Sequence, residues 1–285
     1  MVQIQITDVQ SGVDRLWQVQ DSAKHRRLME WISPTDYAAQ QSDIIKLKQE
    51  GTGQWFLDAP EVARWRSEPN ATLFCPGIPG AGKTTIAAIA IDYLLKSVHN
   101  SSHGVAYIYC NYKTQEQDVS DMLAAILKRL VQTRPSIAEP VERLHRLHAG
   151  NGTRPLLEEM FKALQDVLVH YPTTHIVVDA LDECPEQDRE EVLRFVTGIV
   201  TAQIPCRVKV FITSRREMDI AKAFEDKHIP IVQIRAENVA TDIETFVRSQ
   251  VEKLRKGEYG KALYITSDDL KDRIVQVLAK KADGM

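Results

Sequence analysis

The chain has 285 residues, 44% of them hydrophobic and 26% charged, with a formal net charge of −3. That length admits one large or two modest domains with ample chain for a core, and the composition is that of a soluble globular protein rather than a disordered one. The near-neutral balance excludes a general attraction to nucleic acid or acidic membranes, so any recognition of phosphate must be local.

From the N-terminus, Gly12 to Ile32 carries Val13, Leu16, Trp17, Val19, Leu28 and Ile32 between charged residues, which predicts one or two helices ended by Ser33-Pro34. Pro34 to Gln54 is polar and closes on Gly51-Thr52-Gly53, a loop or short helix leading into QWFLDAPEVARW. Trp55, Phe56, Leu57, Val62 and Trp65 in that block have two open readings. One is core packing; the other is that Gly51 to Trp55 forms a flat cover for a nucleotide base.

Ala71 to Cys75 (ATLFC) predicts a strand, and it runs into FCPGIPGAGKTT, which fits G-x-x-x-x-G-K-[ST] at Gly77, Gly82, Lys83 and Thr84. In the loop Gly77, Ile78, Pro79, Gly80, Ala81, Gly82, the glycines permit a tight turn and bring backbone N–H groups against phosphate oxygens. The helix predicted from Thr85 to Leu95 aims its positive end at the same anion. Lys83 would reach the outer phosphates, Thr84 would ligate magnesium, and Thr85 completes the expected contact set. The bland alternative is a glycine-rich turn that happens to end in Lys-Thr, against which stand the strand before it and the helix after it.

Val105 to Asn111 predicts a second strand, followed by helices on Val119 to Val131 and Leu156 to Leu168 and a Pro- and Gly-punctuated connection between them. His175 to Leu181 (HIVVDAL) predicts a buried strand delivering Asp179, with Asp182 and Glu183 just beyond. Three carboxylates in five residues repel one another unless cations neutralise them, and phosphate-bound magnesium is the natural cation. Asp179 would hold magnesium, and Asp182 or Glu183 would polarise the water that attacks a terminal phosphate. The alternative is an acidic N-cap for a helix beginning near Glu186.

Glu190 to Val200 predicts another helix, and Val208 to Thr213 a strand ending in Ser214-Arg215-Arg216. Those arginines either fork onto phosphate oxygens or form an ordinary surface pair. Ile231 to Ile234 predicts a fifth strand. Two helices follow, on Val239 to Leu254 and after a capping-box-like Thr266-Ser267-Asp268-Asp269. Cys75, Cys110, Cys184 and Cys206 lack any C-x-x-C spacing and read as reduced core residues. His145 and His148 share a helix face without a third ligand nearby.

Taken together, GIPGAGKTT, VVDALDE and FITSRRE resemble the NACHT class of STAND P-loop ATPases, relatives of animal and plant immune receptors (NLR-like proteins). WISPTDY and GTGQWFLDAPEVARW resemble the fungal branch with a nephrocystin-type N-terminal NTPase module, whose members often carry ankyrin or other repeats. The resemblance covers Arg26 to the C-terminus. It implies an α/β fold, a five-stranded parallel sheet of order 5-1-4-3-2 sandwiched by helices and flanked by helical segments at both ends. It also implies a Walker A loop at Gly77 to Thr85, a Walker B Asp179, and Arg215 as sensor of the terminal phosphate. Arg216 stands where the family usually has proline.

The expected organisation is an N-terminal helical segment over 1–50, the NTPase core over 51–236 and a helical segment over 237–285, in a fragment of something longer. What the resemblance implies for function is an ATP/magnesium switch with slow hydrolysis, ATP or ADP as ligand and GTP possible; a cytoplasmic location is expected because the N-terminus lacks a signal-peptide layout and the apolar runs are too short to span a bilayer. Self-association through the NTPase module would drive assembly of a larger receptor in non-self recognition, defence or cell death. Repeats beyond this chain would bind protein partners, with no nucleic acid and no membrane span expected. A P-loop phosphotransferase and a non-catalytic nucleotide-binding platform are the rival readings.

Overall fold

The computed structural model describes residues 22–97, 103–111, 118–258 and 260–282. The helix expected from Gly12 is described from residue 22 as α1 (22–32), its earlier part lying outside the described residues. Then come α2 (Ala38–Lys46), α3 (Gln54–Leu57), α4 (Pro60–Ser67), β1 (Ala71–Pro76), α5 (Lys83–Ser97) and β2 (His103–Tyr109). They are followed by α6 (Val119–Thr133), α7 (Glu139–His148), α8 (Leu157–Leu168), β3 (Thr173–Asp179), α9 (Glu186–Thr201) and β4 (Arg207–Ser214). The chain continues through α10 (Met218–Glu225), α11 (Ala236–Lys256) and α12 (Asp268–Ala282).

The strands form a four-stranded parallel sheet of order β1-β4-β3-β2. Strands buried on both faces read as continuous apolar runs, and β3 and β4 do so because helices cover each side. Alternate residues feed two cores. Ile176, Val178, Val210 and Ile212 join α6, α8 and α9, whereas Val177 and Phe211 join α4, α5 and Phe56. Helix α5 is Ala- and Ile-rich because it packs against the sheet, with Ile86 to Ile91 all buried. Gln41 of α2 stitches the second layer, donating to the Ala88 carbonyl at 3.0 Å and accepting from the Tyr109 hydroxyl.

The expected fifth strand is not a member of this sheet. Residues 230–234 run parallel to β1 but meet it as a single bridge, Phe74 with Ile231, supported by Phe74 N–H to Pro230 O, Val232 N–H to Phe74 O and Ile234 N–H to Pro76 O. The reason is chemical: Pro230 and Pro76 have no N–H to donate, and α11 begins at Ala236 before the ladder can lengthen. The fold is therefore four-stranded, with an extended tether where the order 5-1-4-3-2 had predicted an outer strand.

Strand β3 ends at Asp179, two residues earlier than its sequence pattern predicts, because Ala180 takes a left-handed conformation (φ 57°) and turns the chain out of the sheet. The cysteines are free and buried, and Ser267 caps α12 by accepting from Leu270 N–H at 3.1 Å. His148 pairs with Thr153 and Glu159, while His145 packs edge-on against Trp31. Among the described residues, no group of three or more His, Cys, Asp and Glu side chains could hold a metal ion, and no helix is long and apolar enough to cross a membrane.

At the opposite end of the sheet from the loop 77–85, His175 is buried between Trp65 and His103, with Lys209 beside it on β4. Burial, then the charges of Lys209 and His103, lower its pKa to about 4. The folded chain thus binds no proton at His175 where the unfolded chain begins to, so stability is intact above the unfolded value near 6.5 and falls as the pH drops toward 4. Urea denaturation should lose up to about 3 kcal/mol to this group across that window. His175→Gln should flatten that part of the pH profile, whereas an unchanged profile would show that other groups set it.

Candidate functional site

The carboxyl ends of β1, β3 and β4 meet at one place. Beyond β1, Gly77 donates its N–H to the Ser214 carbonyl of β4 at 3.1 Å, fixing the start of the loop. Gly77 is packed so closely that a Cβ would lie 3.3 Å from both Ala81 and Ile234. Gly80 (φ 78°) and Gly82 (φ 85°) supply left-handed turns, a region that disfavours side chains with a Cβ. Ile78, Pro79 and Gly80 are exposed at the loop's crest, Ala81 is buried, and Gly82, Lys83 and Thr84 are half-buried with Thr85 exposed behind them. Helix α5 starts at Lys83, so the N–H groups of its first turn, which have no intrahelical partner, face the loop.

Lys83 folds back on the loop, its Nζ donating to the carbonyls of Gly77 and Ile78 at 3.0 Å each. Desolvation lowers its pKa, opposed first by Asp182 and also by Asp179 and Glu183, while Arg215 adds to the lowering. Those four groups therefore surround the lysine.

Asp179 is 1% exposed at the end of β3. Its Oδ1 accepts from the Thr213 hydroxyl at 2.5 Å, and the Thr84 hydroxyl lies near enough to favour the ionised carboxylate. Burial raises its pKa to about 6, against the hydroxyls of Thr213 and Thr84 and the charge of Lys83. The Thr213 hydroxyl in turn accepts from Ala180 N–H at 3.0 Å, holding the left-handed turn that follows the carboxylate.

That turn runs through Leu181–Glu183 as one stretch of 3-10 helix. Asp182, its side chain 4% exposed, grips Arg215 twice: Oδ1 accepts the Arg215 backbone N–H at 2.8 Å and Oδ2 lies 3.1 Å from Nε. Glu183 is half-buried beside it. Neither residue caps α9, whose N-cap is Pro185 without a side-chain cap bond. The two arginines diverge, Arg216 pairing with Glu225 of α10 at 2.7 Å.

Trp55 stands apart from this cluster on α3, half-buried, and belongs to the same apolar core as Ala81 of the loop. Its indole N–H donates to Asp242 of α11 at 3.1 Å. Two residues with clear structural roles escaped the sequence reading. Thr213 left a trace, a hydroxyl ending an apolar strand; Asp242 left none, since it lies on an exposed-looking helix face far along the chain.

A family model described as Nephrocystin 3, N-terminal, matches residues 51–215, over half of the chain. No curated protein sequence matches significantly. Among solved structures, the chain is similar to the Aeropyrum pernix ORC1 protein in complex with DNA, at 17% identity over 81% of this chain and 58% of that one, with a TM-score of 0.41. It is similar to a DNA replication initiation factor at 13% identity, 83% and 60% coverage and a TM-score of 0.39. The corresponding values for PCH-2 of C. elegans are 13%, 85%, 56% and 0.40. The chain thus spans about three-fifths of the length of each, and the DNA belongs to the first of those proteins.

Asp179 supplies a direct test of this electrostatic picture. Because its folded pKa lies above the ordinary carboxylate value of 3.8, its favourable contribution exists at low pH and is lost as the pH rises through about 6. At pH 7 the ionised form is a net cost, so Asp179→Asn should stabilise the ligand-free protein by about 1–3 kcal/mol in urea denaturation. A loss of stability would show that the carboxylate is already compensated.

Proposed function

The chain belongs to the nephrocystin 3 N-terminal family, and on that premise we propose that it is a magnesium-dependent nucleotide switch that prefers ATP to GTP and hydrolyses it slowly. The observation that carries this reading is the convergence of Lys83, Asp179 with Thr84, and Asp182 with Arg215 at the carboxyl ends of three parallel strands. Open parallel sheets bind ligands at that edge.

The residues present fit magnesium. Thr84 offers a hydroxyl and Asp179 a desolvated carboxylate adjacent to it, both hard oxygen donors. That short set suits an ion held mainly by water and phosphate oxygens, the usual state of magnesium in such sites. Bound there, the ion would neutralise phosphate charge and relieve the cost of ionised Asp179.

The chain's own groups then divide the work. The loop N–H groups of Ile78, Gly80, Gly82, Lys83, Thr84 and Thr85 cradle the phosphates, and Lys83 exchanges its two carbonyls for the outer phosphate oxygens. Arg215 registers the terminal phosphate by leaving Asp182 for it. Asp182 keeps the Arg215 backbone N–H on its Oδ1 when the guanidinium leaves, and Glu183 takes the role of orienting the attacking water. A switch requires different affinities for the triphosphate and diphosphate states rather than rapid turnover.

On this reading 51–236 is the nucleotide-binding core, and 1–50 and 237–285 are helical segments that respond to it. Self-association and service in a larger cytoplasmic receptor for non-self recognition, defence or cell death extend the same proposal, supported by the resemblance of the three motifs.

Thermal unfolding tests the reading. Magnesium with ATP at about a hundredfold its dissociation constant should add roughly 2.7 kcal/mol and raise the midpoint by several degrees. Lys83→Ala should abolish the rise, and Glu183→Gln should keep it while stopping phosphate release. An equal rise in Lys83→Ala, or none with any nucleotide, contradicts the proposal.

A further inference from the structure

The turn between α2 and α3 places two glycines in the left-handed region, Gly51 at φ 85° and Gly53 at φ 77°. A Cβ on Gly53 would stand 2.3 Å from Ile89 Cδ1, so the turn's backbone lies directly on α5, the helix that begins at the phosphate loop. Thr52 holds one side of this turn through its N–H and hydroxyl to the Gln49 carbonyl, at 3.2 and 2.7 Å, and the Gly53–Trp55 side is anchored from outside.

The anchor comes from the far end of the chain. Asp242, in the second turn of α11, receives two hydrogen bonds on a single oxygen: Gly53 N–H at 2.8 Å and Trp55 indole N–H at 3.1 Å to Oδ2. Both are charge-assisted, and together they set the height of the turn and the orientation of the indole ring. Helix α11 is itself rooted beside the phosphate loop. Ile234, just before it, donates to the Pro76 carbonyl at 3.0 Å and closes over Gly77, while Val239 and Ile243 pack into the core that contains Ala81 and Trp55.

We infer that Asp242 is a positioning residue that presents the Gly51–Trp55 turn as the base-side wall of the nucleotide site and ties occupancy of that wall to α11. The inference rests on the nucleotide reading proposed above. A flat indole packed against the core that contains Ala81 of the loop suits a purine ring, and holding it in place beforehand removes an ordering cost from binding. Coupling of this kind is reciprocal: if the anchored turn favours the base, a bound base favours the anchored α11 by the same factor.

The test compares ATP with inorganic tripolyphosphate, each with magnesium, by calorimetry on the full chain. Both ligands present phosphates to the loop, but ATP alone brings a base. The wild type should bind ATP more tightly than tripolyphosphate by about tenfold or more. Asp242→Ala should bring the two dissociation constants together by weakening ATP while leaving tripolyphosphate unchanged. Asp242→Asn keeps an accepting oxygen without the charge and should fall between, and Trp55→Phe should lose part of the preference.

An ATP preference that survives in Asp242→Ala overturns the inference. So does a wild type that binds the two ligands equally, although the phosphate-loop reading then stands. Equal weakening of both ligands in Asp242→Ala and Asp242→Asn overturns it too, because the residue would be merely structural. A wild type that binds neither ligand overturns the nucleotide reading and the inference with it.

Discussion

The site depends on a carboxylate placed where water cannot solvate it. Asp179 ends β3, flanked by β2 and β4, and its two hydroxyl partners, Thr213 and Thr84, come from β4 and from the helix after the phosphate loop. One buried charge therefore binds the acidic strand, the arginine-bearing strand and the loop's helix into a single unit. Burial without a full cationic partner costs stability, as its raised pKa records. Such a cost persists when the group serves a ligand that restores the balance, and a cation bridging phosphate and carboxylate does so.

The cations around it are satisfied from within. Lys83 rests on two loop carbonyls and Arg215 on Asp182, so the cluster holds its positive charges close to where phosphate would lie without leaving them unpaired. A terminal phosphate offers each a stronger partner than a neutral carbonyl or a shared carboxylate. Exchange of partners then requires small movements of two side chains, and because Asp182 follows the left-handed turn at Ala180, movement of Arg215 reaches the turn after β3 directly. The same contacts that stabilise the resting loop would set the threshold for a nucleotide bound as proposed.

Much of this was legible in the chain, and its limits have physical causes. Periodicity exposed β1, β3 and β4 because strands buried on both faces need long apolar runs, and it exposed α6 and α8 through their three- and four-residue spacing. It failed at 231–234, where an apolar run is present but prolines on both partners withhold the donors a ladder needs. The glycine loop could be located from spacing alone, because backbone geometry fixes which positions must lack a Cβ. By contrast, the pairing of Asp182 with Arg215 and of Asp242 with Trp55 joins residues distant in the chain. Nothing local distinguishes such charges from those that face solvent, and only the topology brings them together.

The most direct test of the account is the position of two side chains in a crystal structure of the protein with magnesium and a non-hydrolysable ATP analogue. There Lys83 Nζ will have left the carbonyls of Gly77 and Ile78 for the outer phosphate oxygens, and Arg215 will have exchanged Asp182 for the terminal phosphate. A nucleotide bound elsewhere, or bound with both side chains still on their internal partners, would contradict it.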